Sequence, residues 1–143
     1  MRPHRTFKRG CAPGEYAMSA ISGKMTEPER QVAEFLAGLG LWYKYEFPVF
    51  LYDEKERPRV WAPDFFLPKL GLYIEVCGSE AIDYTYREKI FDKNGMYIIF
   101  VHFYKGERAW KPFLVERLEF IGEKRLSLIS EAIELAQKYR AEE

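Results

Sequence analysis

Cysteine is almost absent from this chain. Cys11 and Cys77 are its two thiols; they lie far apart and lack the paired spacing of a zinc motif, which argues against a disulfide scaffold or a Cys-rich metal site. Two free thiols are the expectation, with pairing open only to a hot-adapted intracellular protein. Amides are also scarce. One Asn and two Gln stand beside abundant Glu, Lys, Arg and Tyr, a bias found in proteins from very hot environments, and a thermophilic source is expected. No apolar run reaches the roughly 18 residues a membrane span needs, and the N-terminus has no apolar signal core. A cytoplasmic protein with no membrane partner is the corresponding expectation. Nor is there any excess of one charge: 22 basic residues balance 22 acidic ones, so contact with nucleic acid would require a local basic face.

What is present is globular. The 143 residues are 48% hydrophobic and 17% aromatic, enough for one domain with its own core. Residues 1 to about 24 carry Arg2, His4, Arg5, Lys8 and Arg9 among Pro, Gly and Ser without periodicity. They read as a basic arm, either solvated or strapped onto phosphates. Residues 25–104 read as the core and 105–143 as C-terminal helices.

Thr26-Glu27-Pro28-Glu29 has the form of a helix N-terminus, with Thr26 as N-cap and Glu29 closing a capping box. The helix is expected to end at Gly38 or Gly40. Val32, Phe35, Leu36 and Leu39 follow helical spacing, and Glu29 falls on that inward stripe. Trp42–Tyr52 and Val60–Leu67 are aromatic and β-branched runs around the charged turn 53–58, the pattern of an antiparallel hairpin. Leu72–Cys77 is a third strand between Gly71 and Gly78. Residues 83–94 suit a helix, and Met96–Phe103 suits a buried strand. The order α-β-β-β-α-β implies an α/β fold with a central mixed sheet flanked by helices. Two further helices are expected, from Pro112 to about Phe120 and from Glu123 to Arg140, broken near Gly122. In the second, Leu126, Ile129, Ile133, Ala136 and Tyr139 form a stripe that packs on the sheet or on a second copy.

The chemistry is concentrated in Pro63-Asp64-Phe65-Phe66-Leu67-Pro68 and Leu72-Tyr73-Ile74-Glu75-Val76-Cys77-Gly78. Each segment places one carboxylate in an otherwise apolar strand, where an unpartnered charge is costly. Two such acids on adjacent strands are most simply explained by a shared cation, and oxygen donors suit Mg²⁺ or Mn²⁺. Period-two alternation sends Tyr73, Glu75 and Cys77 to one face. His102 reads as a core histidine, and Trp61, Phe65 and Phe66 as core or as dry walls around Asp64. Tyr84 and Tyr86 read as packing residues.

These residues resemble the PD-(D/E)xK nuclease superfamily, in which Pro-Asp at a strand end is followed about ten residues later by Glu-x-Lys. The likeness runs over residues 26–104. It implies a restriction endonuclease-like αβββαβ core and a metal-dependent DNA endonuclease acting in repair, recombination or restriction, working as a homodimer on duplex substrates. It implies that Asp64, Glu75 and the Val76 carbonyl bind the metal, while Glu29 orients water or a second cation. Position 77 departs from the pattern, because Cys stands where the family has Lys. Lys89 of the next helix is the expected substitute, with Lys93 and Arg87 as alternatives. A catalytically silent relative that binds nucleic acid or protein is the competing expectation.

Overall fold

The computed structural model describes residues 24–142; the basic arm and Cys11 lie outside them. Helix α1 spans Glu27–Gly38 and begins as its sequence requires. The Thr26 side chain accepts from the Glu29 N–H, and the Glu29 carboxylate accepts from the Thr26 N–H at 3.1 Å. This reciprocal cap satisfies two donors that the first turn leaves open.

Six strands follow: β1 (Lys44–Tyr45), β2 (Val49–Tyr52), β3 (Pro58–Trp61), β4 (Phe65–Leu67), β5 (Leu72–Cys77) and, after helix α2 (Thr85–Lys93), β6 (Tyr97–His102). The two long runs expected to form one hairpin are each divided in two. Pro48 interrupts the first and Pro63 the second; proline cannot donate to a strand ladder. The inner halves, β2 and β3, form a separate antiparallel ribbon, while the outer halves, β1 and β4, join a mixed sheet of order β1-β4-β5-β6. In that sheet β4 runs antiparallel to β5, and β6 runs parallel to β5 across the α2 crossover.

The sheet separates two apolar layers. On one face Val32 and Leu36 of α1 pack with Phe65, Leu72, Ile74 and Ile99. On the other, Val49 and Leu51 of the ribbon pack with Tyr73 and with Ile90 and Phe91 of α2. Strand β5 supplies both layers by simple alternation, as its sequence indicated. The short connection into it turns at Gly71, whose φ of 61° is strained for any residue with a side chain. A Cβ there would stand 2.9 Å from the Arg125 guanidinium.

The C-terminal region differs from the sequence expectation. Instead of two helices there is one, α3, of 36 residues from Glu107 to Glu142. Gly122 does not adopt a positive φ. A helical glycine costs about 1 kcal/mol relative to alanine, too little to end a helix whose neighbours all favour it. Pro112 lies early in the helix, where it removes a single hydrogen bond. The stripe beginning at Leu126 does not pack on the sheet; Leu126, Ile129, Ile133 and Tyr139 are all exposed. Among the described residues, no helix is long and apolar enough to cross a membrane.

Candidate metal centre

The register of β4 on β5 pairs Phe65 with Ile74 and Phe66 with Tyr73. Continued by one residue, it sets Asp64 beside Glu75 on the face shared with Tyr73. The two carboxyl groups are near enough for each to bear on the other's titration. Asp64 is fixed at both ends: its Oδ2 accepts from the Val76 N–H at 2.7 Å, and its main-chain carbonyl accepts from the Glu46 N–H at 3.0 Å. Glu46 itself adopts φ 54°, a conformation that non-glycine residues seldom take up.

The pair opens into a cleft of about 380 Å³. Glu46, Trp61, Pro63, Arg87 and Phe91 are among its walls. Arg87 lies with Nη1 3.4 Å from Glu75 Oε2, its side chain half exposed and that of Glu75 largely shielded. Trp61 packs against Phe91 at a centroid separation of 5.9 Å, which keeps the inner wall dry.

Burial and the proximity of Glu75 push the Asp64 carboxyl well above the ordinary carboxylate range, and Glu29 adds to the repulsion. Glu75 is also raised, chiefly by burial, with Arg87 acting in the other direction. Two carboxyls this close and this shielded cannot both ionise at neutral pH without added positive charge. The donor set therefore fits a hard divalent cation, which would replace the shared proton. The protein contributes only part of a coordination shell, however. Among the described residues, no group of three or more His, Cys, Asp or Glu side chains is gathered closely enough to hold a metal ion.

Glu29 reaches inward as its place on α1 required. It is buried, and its Oε2 accepts from the Tyr45 hydroxyl at 2.6 Å. It acts on the pair through charge, from the helix packed on the opposite face. Lys89 does not approach the carboxyls: it is exposed, and its charge acts on Asp83. Lys93 is directed to the Asp53 carbonyl and Glu56. The basic side chain at the site is thus Arg87, because successive helical residues turn by about 100° and positions 87 and 89 face opposite ways.

Cys77 follows two residues after Glu75 and is a fully buried free thiol. The Tyr84 hydroxyl lies against it, and burial pushes its pKa up to about 11. At neutral pH it carries no charge. His102, at the end of β6, has Nδ1 3.1 Å from the Tyr104 hydroxyl and lies outside the cleft. Glu46 and the role of Arg87 were not evident from sequence. The Pro48 break beside Glu46 was the available signal, since it forces the chain to turn next to Asp64.

No protein-family model, curated protein or solved structure matches this chain.

Proposed function

We propose that the chain is a Mg²⁺- or Mn²⁺-dependent nuclease that hydrolyses phosphodiester bonds in DNA, on a restriction endonuclease-like core. The observation that carries this reading is the Asp64–Glu75 pair: two shielded carboxyls from neighbouring strands, in a cleft, with fewer donors than their charge demands. Its likeness to the Pro-Asp and Ile-Glu elements of PD-(D/E)xK enzymes supplies the substrate class.

Asp64, Glu75 and the Val76 carbonyl would hold the cation. When bound, it would supply Lewis-acid charge to the scissile phosphate and lower the pKa of an attacking water. Asp64 is positioned in advance by the Val76 and Glu46 amides, so its orientation costs nothing on binding. Glu29 deepens the negative potential at the pair. Arg87 offers the positive charge that Cys77 lacks and can reach a phosphate oxygen while still neighbouring Glu75. Trp61 and Phe91 limit solvent access from one side. Because the chain has no net charge, DNA contact falls to local cations such as Arg87 at the cleft.

The buried, uncharged Cys77 favours a second reading, a member of the fold that binds DNA or a protein without cutting. Linear and branched duplexes incubated with Mg²⁺ or Mn²⁺ separate the two. Cleavage is expected, and Asp64→Ala or Glu75→Ala should each lower the rate by roughly 10³-fold or more. Undiminished cutting by both variants would overturn the nuclease assignment. Retained binding with no cutting under either cation would establish the second reading.

A further inference from the structure

Helix α3 outruns the body on which it packs. Its 36 residues extend about 54 Å at 1.5 Å per residue. The buried side chains, Trp110, Leu114, Leu118 and Ile121, all come from its first half. Arg125 then tethers it to the body by donating to the Gly71 carbonyl at 2.7 Å. Past that tether the apolar residues continue with little to cover them: Leu126 is 66% exposed, Ile129 55% and Ile133 52%. Leu128, Leu135 and Tyr139 are more than half exposed as well. At about 100° per residue these six occupy one half of the helix circumference.

A projecting segment of about 17 residues is a marginal helix in water unless its apolar side is covered. Residues 123–142 carry four acidic side chains, Glu123, Glu131, Glu134 and Glu142, and four basic ones, Lys124, Arg125, Lys138 and Arg140. A segment with no excess of positive charge has no net electrostatic attraction for an anionic membrane or a phosphate backbone. The cover is therefore protein.

We infer that the cover is the same segment of a second copy, running antiparallel about a two-fold axis beside Glu131. Leu126, Ile129, Ile133 and Ala136 have the 3-4-3 spacing of a coiled-coil seam. Antiparallel pairing sets Leu126 against the partner's Ala136, large on small, and Ile129 against the partner's Ile133. The same operation brings Arg140 over the partner's Gly122, between the partner's Glu119 and the partner's Glu123. Space exists there, since nothing lies within 4 Å of a Cβ built at Gly122. At the axis Ser130 and Ala132 meet their own counterparts, and both are small enough for close approach. In a parallel pair, by contrast, Arg140 would meet the partner's Arg140.

Of the six exposed apolar residues, Leu126, Ile129 and Ile133 face this seam; they present on the order of 300 Å², which makes the pairing a small, weak interface beside the roughly 800 Å² per subunit of a standard one. The pairing depends on the helix alone and holds whatever chemistry the cleft performs. Sedimentation equilibrium of the full chain should show the average mass rising toward twice the chain mass as the concentration approaches about 10⁻⁴ M, the range of a small interface. The double variant Ile129→Glu/Ile133→Glu, altered only at exposed positions, should sediment as a monomer, with association weakened at least about 100-fold. Its circular dichroism in the aromatic region should be unchanged. In a Cys11→Ser background, mild oxidation should link Ala132→Cys into a covalent dimer and leave Arg140→Cys unlinked. A monomeric native chain, a dimer indifferent to the double variant, or cross-linking of the Arg140→Cys chain alone would each overturn the proposal.

Discussion

Asp53 and the Asp64–Glu75 pair are both withdrawn from water, yet their surroundings are opposite in kind. Asp53 is fully buried in the turn between β2 and β3, and every lobe of its carboxylate is met. Oδ1 accepts from the Lys55 and Arg57 amides, and Oδ2 accepts from the Arg57 and Arg59 guanidinium groups at 3.0 Å each. Burial alone would raise its pKa, but these donors outweigh burial and hold the carboxyl well below its usual range. Asp64 has one amide donor, and Glu75 has one half-exposed arginine; each faces another acid, and both are raised. A structural carboxylate collects donors until its charge is satisfied. The Asp64–Glu75 pair, proposed to hold a cation, leaves its charge unmet.

The contrast can be broken from either side. The largest change in stability is expected for Asp53→Ala, which leaves the turn amides without acceptors and two arginines side by side; the melting temperature should fall by about 10 °C. Cleavage at a permissive temperature should persist, because the ribbon turn is not part of the cleft. An unchanged melting temperature would show that the turn is not a folding determinant.

A smaller effect of opposite sign is expected at the cleft. Asp64→Asn removes the repulsion while keeping an acceptor for the Val76 amide, and should stabilise the metal-free protein at neutral pH by about 1–2 kcal/mol. Greater stability together with lost cleavage is the signature of strain held for function. A destabilised Asp64→Asn chain would contradict it.

The smallest effect is one of slope. A raised carboxyl binds its proton more tightly in the folded chain, so the stability from the Asp64–Glu75 pair is complete below the ordinary carboxyl pKa. It is lost as pH climbs through the raised value. Asp53 works in reverse: its depressed pKa gives stability above the ordinary value, lost as pH falls through the folded one. Denaturant midpoints across pH should therefore decline on both sides. Asp53→Ala should flatten the acid limb and Asp64→Asn the alkaline limb.

These two acids also mark what a sequence can convey. The capping box of Thr26 and Glu29 and the alternation of β5 are local patterns, and both appear in the fold as written. So does the alignment of Asp64 with Glu75, because hairpin register follows from the same period of two. Three features depended on tertiary context. The choice of Arg87 over Lys89 rests on how α2 is rotated against the sheet, which the weak amphipathicity of that helix does not disclose. The continuity of α3 through Gly122 rests on the absence of a positive φ, and helical glycine looks the same in sequence as a terminating one. The Asp53 hub rests on side chains converging across a tight turn that reads only as a charged loop. Pro48 and Pro63 did carry information on where the long runs divide.

Calorimetric melting of the native chain and of Asp64→Asn, with and without Mn²⁺ at neutral pH, tests the shared cation most directly. Mn²⁺ should raise the native melting temperature by several degrees, about 1–3 kcal/mol at saturating cation, and leave Asp64→Asn unmoved. No shift in the native chain, or an equal shift in both, would mean that Asp64 and Glu75 do not hold a divalent ion between them.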